Sequence, residues 1–82
     1  MATLKERSFA GRWVRLTEFR SGTDIREYVS DAPANHDGEA EFISAPLGVY
    51  EVSISDSHTG PFAPPSDGRL RFYVVGGWPE FR

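Results

Sequence analysis

Hydrophobic and polar residues alternate with a period of two along most of this chain. The clearest example is Val49–Ser55, where Tyr50, Val52 and Ile54 occupy one face of an extended segment. Such alternation is typical of half-buried β-strands, whereas a helix repeats its apolar residues roughly every 3.6 positions. The pattern predicts strands at Phe9–Phe19, Ile25–Val29, Glu39–Ser44, Val49–Ser55 and Arg69–Val75.

Two turn signals join the central strands into one unit over residues 37–54. A predicted loop over residues 31–38 ends in Asp37-Gly38, which precedes the third predicted strand, and Pro46-Leu47-Gly48 reverses the chain before the fourth. Proline presets φ in a tight turn, and glycine accepts a positive φ. Strands joined by turns at short spacing indicate a sandwich or a partly open barrel. We therefore predict an all-β fold, a small antiparallel β-sandwich of about five to seven strands.

The apolar positions of these strands define a predicted core. On the first strand, Trp13 and Arg15 lie on the face opposite the core. On the last strand the alternation points Arg71 and Tyr73 outward. The predicted core consists of Val14, Leu16, Ile25, Val29, Phe42, Tyr50, Val52, Ile54, Leu70, Phe72 and Val74.

A chain of 82 residues is long enough for one domain. Residues 1–8 are polar and predict a flexible N-terminal arm, residues 9–75 form the sandwich, and residues 76–82 form an aromatic tail after Gly76-Gly77. The chain has no cysteine, so no disulfide stabilises its thin core. Small domains without such crosslinks often depend on oligomerisation or on docking to a larger partner.

Charge and hydropathy exclude several classes of partner. The formal net charge of −3 argues against general nucleic-acid binding, which needs a basic surface. No apolar run approaches the roughly 18 residues that a membrane span requires. The first residues lack the apolar segment of a secretory signal, so we expect a protein made in the cytoplasm without a signal peptide.

No cofactor or metal site is predicted. His36 and His58 are too few ligands for a structural zinc site, which takes about four nitrogen or sulfur ligands. The loop around Asn35-His36-Asp37 fails the calcium-loop pattern, because Pro33 and Ser44 stand at positions that need carboxylates. We interpret this loop as a solvated turn.

An enzyme is not predicted either. Asp56-Ser57-His58 contains the three residue types of a hydrolase triad, but consecutive residues cannot align nucleophile, base and orienting carboxylate. Arg69 and Arg71, interleaved with aromatic residues, are typical either of a single-strand nucleic-acid platform or of an outward face that pairs across the sheet with glutamates, here Glu39, Glu41 or Glu51. The acidic net charge favours the pairing with glutamates.

The hairpin region resembles a known family. Residues 35–55, NHDGEAEFISAPLGVYEVSIS, are similar to the transthyretin-like modules, the carboxypeptidase-regulatory and Cna-B type β-sandwiches. Asp37-Gly38 matches the family's turn, Phe42 its inward aromatic and Pro46-Leu47-Gly48 its reversal, while Val14 and Leu16 match its V-x-L strand. The resemblance implies a transthyretin-like or immunoglobulin-like fold, and it does not indicate any particular activity.

The chain departs from the family in one respect. Cna-B type modules often carry a Lys–Asn isopeptide crosslink, and this chain has one lysine, Lys5, and one asparagine, Asn35. Asn35 lies in a mid-chain loop and not on the last strand, where the family places its asparagine. The crosslink also needs a buried, oriented carboxylate between the two groups. We therefore do not expect it.

Two surface features are candidates for partner binding. The proline-rich loop 56–68 carries Phe62, and loops this long in small domains tend to be functional or disordered. Aromatic and arginine residues cluster at both ends of the predicted sandwich, where they either complete the core or anchor an interface. The predicted partner-binding residues are Phe9, Trp13, Arg15, Phe62, Trp78, Phe81 and Arg82.

These observations favour a non-catalytic structural or assembly protein. It would self-associate or dock on a larger assembly, as a bacteriophage capsid decoration or tail-associated protein of the virion does. The alternative is a carbohydrate- or peptide-binding module that uses loop 56–68, with Tyr28, Phe62 or Tyr73 as stacking surfaces.

Overall fold

The structure is a computed structural model that describes residues 2–19, 26–42, 48–65, 67–69 and 71–75. This part of the chain folds into six strands and one 3-10 turn. The elements are β1 Ala2–Lys5, the 3-10 turn Arg7–Phe9, β2 Trp13–Phe19, β3 Arg26–Pro33, β4 Glu39–Phe42, β5 Gly48–Ser55 and β6 Arg71–Val75. None of the described helices is long and apolar enough to cross a membrane.

The strands form two antiparallel sheets. The larger sheet has the order β3-β2-β5-β6, and the smaller sheet pairs β1 with β4. In the larger sheet Val14 lies opposite Ala32 on one side and Ile54 on the other. The small antiparallel all-β fold predicted from the alternation is therefore confirmed.

Residues of both sheets form one hydrophobic core. Directly opposed residues of an antiparallel pair point to the same face, so the register aligns Leu16 with Val52 and Leu4 with Ala40. Of the predicted core, the buried members are Val14, Leu16, Phe42, Tyr50, Val52 and Ile54. Ile25 and Leu70 lie outside the described residues, as do the side chains of Val29, Phe72 and Val74.

The predicted flexible arm is wrong for most of its length. Ala2–Lys5 is strand β1, and its Leu4 is buried in the core with 8% exposure. The predicted first strand also begins too early, because Phe9 belongs to the 3-10 turn and β2 starts at Trp13. Gly11, at a φ of +69°, reverses the chain between these elements. Phe9 then fills the core with no exposed surface.

Strand β3 extends further than predicted and ends at Pro33. The assigned loop 31–38 therefore shortens, and Asp31 becomes a strand residue opposite Arg15. The Asp37-Gly38 turn is confirmed, with Gly38 at a φ of +82°. The Glu6 amide donates a hydrogen bond to the Gly38 carbonyl oxygen at 3.1 Å, which joins the N-terminal segment to this turn.

The predicted orientation of the last strand is wrong. Arg71 lies opposite Val52, and Tyr73 lies opposite Tyr50, so both share the core face of the larger sheet. Tyr73 packs against the core cluster. Arg71 ends beside Glu6 and Asp67, and not beside Glu39, Glu41 or Glu51 as expected. Because Glu6 and Asp67 supply carboxylates at this end of the core, Arg71 is tolerated on the inner face of the sheet.

Candidate partner-binding face

The segment after β5 folds back and pairs with the end of β5. Ile54 and Ala63 form a two-way backbone bridge, with N···O distances of 2.8 and 2.9 Å. Within the loop, Gly60 donates to the Ser57 carbonyl oxygen at 3.1 Å, and the Ser57 hydroxyl donates to the Gly60 carbonyl oxygen at 2.9 Å. These bonds give residues 56–63 a fixed shape.

Trp13 and His58 are stacked. Their ring centroids lie 4.2 Å apart, and the ring planes are inclined by 20°. His58 Nε2 lies 4.0 Å from the Asp31 Oδ2 atom. The imidazole therefore fixes one end of the loop to β2 and faces a carboxylate of β3.

Arg15, on β2, contacts both β3 and the loop after β5. Its guanidinium group donates two hydrogen bonds to Asp31, from Nε to Oδ1 at 2.8 Å and from Nη2 to Oδ2 at 3.1 Å. The guanidinium carbon also lies 3.8 Å from the centroid of the Phe62 ring. A guanidinium group stacks on an aromatic face while its edge stays free for hydrogen bonds. Arg15 therefore connects the strands to the loop.

We name this cluster the aromatic face. It consists of Trp13, Arg15, Asp31, His58 and Phe62. Trp13, Arg15 and Phe62 are half-buried, the His58 side chain is 65% exposed and the Asp31 side chain is 6% exposed. The structure thus brings together three of the residues predicted to bind a partner.

The remaining predicted binding residues have other locations. Phe9 is completely buried, so it belongs to the core and cannot contact a partner in this state. Trp78, Phe81 and Arg82 lie outside the described residues. Asp31 and His58 are members of the aromatic face that sequence reasoning did not assign to it. The sequence pattern places Asp31 in the predicted loop 31–38, and for this reason it gave no indication that Asp31 lies opposite Arg15 in a pair of strands.

A second polar cluster lies at the opposite face of the larger sheet. The Glu6 carboxylate accepts hydrogen bonds from Arg71 Nη1 and from the Tyr73 hydroxyl, and Asp67 accepts a further bond from Arg71. Burial, followed by the contact with Glu6, raises the pKa of Tyr73 to about 12. The backbone amide of Arg69, followed by Arg71, lowers the pKa of Asp67. This cluster attaches the N-terminal segment to β6.

Lys5 and Asn35 both lie next to Glu39. Lys5 lies opposite Glu39 in the β1–β4 pair, and Asn35 Nδ2 donates a hydrogen bond to Glu39 Oε1 at 3.1 Å. Lys5 and Asn35 are both exposed, whereas the crosslink chemistry needs a buried carboxylate between the two groups. The absence of a Lys–Asn crosslink stays a prediction.

An open pocket of about 490 Å³ lies beside this pair. It is lined by Lys5, Glu6, Arg7, Ala10, His36 and Asp37, so its walls carry charged side chains of both signs. Within the described ranges, no three His, Asp or Glu side chains are grouped closely enough to hold a metal ion.

The comparisons with known proteins add no relative. No protein-family model, no curated protein and no solved structure matches the chain. The arrangement of the aromatic face therefore has to be interpreted from its own geometry.

Proposed function

We propose that the chain is a non-catalytic structural protein that assembles through its aromatic face. Its partner is protein, either another copy of the chain or a larger assembly, and neither nucleic acid nor a membrane. The observation that carries the proposal is the position of Trp13 and Phe62. Both rings are half-exposed, yet each is held against a neighbouring side chain.

Aromatic rings that are already ordered in the free protein, such as those of Trp13 and Phe62, are good interface anchors. Binding costs free energy for every side chain that must be ordered, and stacking against His58 and Arg15 has already ordered these two rings. Aromatic residues also supply a large share of the binding free energy in protein interfaces. The face therefore offers apolar contact area at a low entropic cost.

The resemblance to transthyretin-like and immunoglobulin-like modules extends this proposal. Small sandwiches of this kind serve as add-on modules in larger particles, so we propose a virion as one setting, with the chain as a capsid decoration or tail-associated subunit. The support is the resemblance of residues 35–55, together with the two antiparallel sheets.

The alternative is a carbohydrate- or peptide-binding module. The fixed shape of loop 56–63 favours it, because a preorganised loop lowers the entropic cost of binding a ligand. Tyr73, one of the proposed stacking residues, donates its hydroxyl to Glu6 and packs against the core. The side chain of Tyr28 lies outside the described residues, so Phe62 is the stacking residue on which the alternative is tested. Loss of ligand binding on Phe62→Ala by a monomeric chain would favour this alternative.

Oxidative footprinting tests the proposed function and does not require the partner to be identified. The chain is exposed to hydroxyl radicals as a dilute purified protein, as a purified protein at about 1 mM, and in an extract of the cells that make it. We expect oxidation of Trp13 and Phe62 to fall several-fold in the concentrated sample or in the extract, while exposed His36 keeps its rate. Equal oxidation of the two aromatic residues in all three samples would contradict the proposal.

A truncated chain tests the predicted role of the tail. Removal of residues 78–82 deletes Trp78, Phe81 and Arg82 and leaves every described strand in place. If the tail anchors the partner, the truncated chain loses the protection of Trp13 and Phe62 in the extract. Full protection of the truncated chain would remove the tail from the interface.

A further inference from the structure

We infer that the partner of the aromatic face is a second copy of the same chain, docked about a two-fold axis. This inference rests on the proposed function and names its partner. Three properties of the face support it, namely its charge, the chemistry of its exposed rings and its size.

The aromatic face has no net charge when histidine is counted as neutral. Asp31 is paired with Arg15 by two hydrogen bonds, and Arg12 and Asp56 pair at 3.4 Å where the loop begins. The chain as a whole carries −3, and the five residues of the aromatic face contribute nothing to that excess. Two copies that meet here bring neutral surfaces together, and salt screens repulsion between the remaining charges beyond about 8 Å.

Charged partners fit this face poorly. An acidic partner needs an available cation, but Arg15 already directs Nε and Nη2 to Asp31 and its flat side to Phe62. A basic partner would be attracted to the acidic remainder of the chain. A neutral aromatic surface is complementary to another of the same kind. In a contact about a two-fold axis the same patch is used by both copies, so Trp13 and Phe62 each contribute twice.

The size of the face determines the expected affinity. The whole outer side of the larger sheet, with four strands about 4.8 Å apart and a seven-residue β2, measures roughly 19 by 23 Å, so the aromatic face covers at most about 400 Å² per copy. Stable interfaces bury about 800 Å² per partner. A contact of half the usual area or less is typical of weak association, so we expect a dimer with a dissociation constant above about 10 µM.

Sedimentation of the full-length chain between about 1 µM and 1 mM tests the dimer. We expect Phe62→Ala to raise the dissociation constant at least about tenfold. His58→Ala should also raise it, because the substitution releases Trp13. His36→Ala is the matched control, since His36 is 91% exposed at a different place, and it should leave the constant unchanged.

A crosslinking measurement covers the case in which Phe62→Ala does not fold. The natural chain has no cysteine, so one introduced thiol is unique. Ser53 lies opposite Arg15 on the same side of the sheet as the aromatic face, and Thr3 is exposed on β1. We expect Ser53→Cys to form a disulfide-linked dimer at least about tenfold faster than Thr3→Cys.

Three outcomes would overturn the inference. A chain that stays monomeric to about 1 mM, equal crosslinking of the two cysteine variants, and a dimer that Phe62→Ala leaves intact all contradict it. If a monomeric chain is still protected at Trp13 and Phe62 in the cell extract, the inference fails and the proposed function stands. If protection is absent as well, both fail.

Discussion

The guanidinium group of Arg15 lies on the ring of Phe62, with 3.8 Å between the guanidinium carbon and the ring centroid. The two residues come from β2 and from the loop after β5, so this contact joins the sheet to the loop. Asp31 holds the other edge of the guanidinium group. The orientation of Phe62 at the surface therefore depends on a hydrogen-bonded strand residue.

The substitution Arg15→Lys should loosen loop 56–63. Lysine keeps the positive charge but lacks the planar group that binds Asp31 in a bidentate manner and stacks on Phe62. We expect the free energy of unfolding to fall by about 1 to 2 kcal/mol, and hydrogen exchange of the Ala63 amide, which bonds to Ile54, to accelerate.

Arg12→Lys is the matched control for this substitution. Arg12 pairs with Asp56 at 3.4 Å, but the side chains are 40% and 87% exposed, so this pair contributes little. We expect a loss below about 0.5 kcal/mol. Equal effects of the two substitutions would show that Arg15 has no special role in holding the loop.

Gly38→Ala should destabilise the protein strongly. A Cβ atom at Gly38 would lie 2.0 Å from the Glu6 backbone oxygen, and its φ of +82° disfavours any side chain. Because that oxygen belongs to backbone, relief requires the N-terminal segment to move. We expect a loss of at least about 3 kcal/mol in chemical denaturation.

Gly11→Ala separates the cost of the positive φ from the cost of the steric clash. Gly11 has a comparable φ of +69°, but a Cβ atom there meets nothing within 4 Å. Its substitution should cost only the conformational penalty, about 1 to 2 kcal/mol. If both variants lose the same free energy, the close approach of Gly38 to Glu6 is not what requires glycine there.

Stability should decline at high pH through Tyr73. Burial and the contact with Glu6 raise its pKa from 10.0 to about 12, so the folded state favours the neutral phenol. The corresponding stabilisation is complete below pH 10 and is lost as the pH rises from 10 towards 12. Urea denaturation across this range measures the loss.

Tyr73→Phe provides the comparison for the alkaline decline. The variant lacks the hydrogen bond to Glu6 and should lose about 1 kcal/mol at neutral pH. Its stability should then fall less steeply between pH 10 and 12. The pKa of Tyr50 is also raised, by burial and then by Glu18, and this contribution is common to both proteins. Parallel pH profiles would assign the decline to other groups.

Part of the aromatic face was predictable from local pattern. The alternation in β2 separates Trp13 and Arg15 from the core-facing Val14 and Leu16, and the proline-rich loop marks Phe62 as an exposed aromatic. Local pattern does not indicate that Arg15 contacts Phe62 and Asp31. Arg15 and Asp31 are 16 residues apart, and their pairing depends on the antiparallel register of β2 and β3.

Local alternation is enough to specify the all-β class and the buried faces of β2, β4 and β5. The reason is that a period of two is a local property, which neighbouring residues carry without reference to the rest of the chain. The pairing of β1, the return of loop 56–63 and the inward side of β6 depend on contacts between segments that are distant in the chain. Arg71 faces inward because Glu6, 65 residues earlier, supplies a carboxylate there. Which face of a strand is buried depends on such distant partners, and a sequence pattern does not record them.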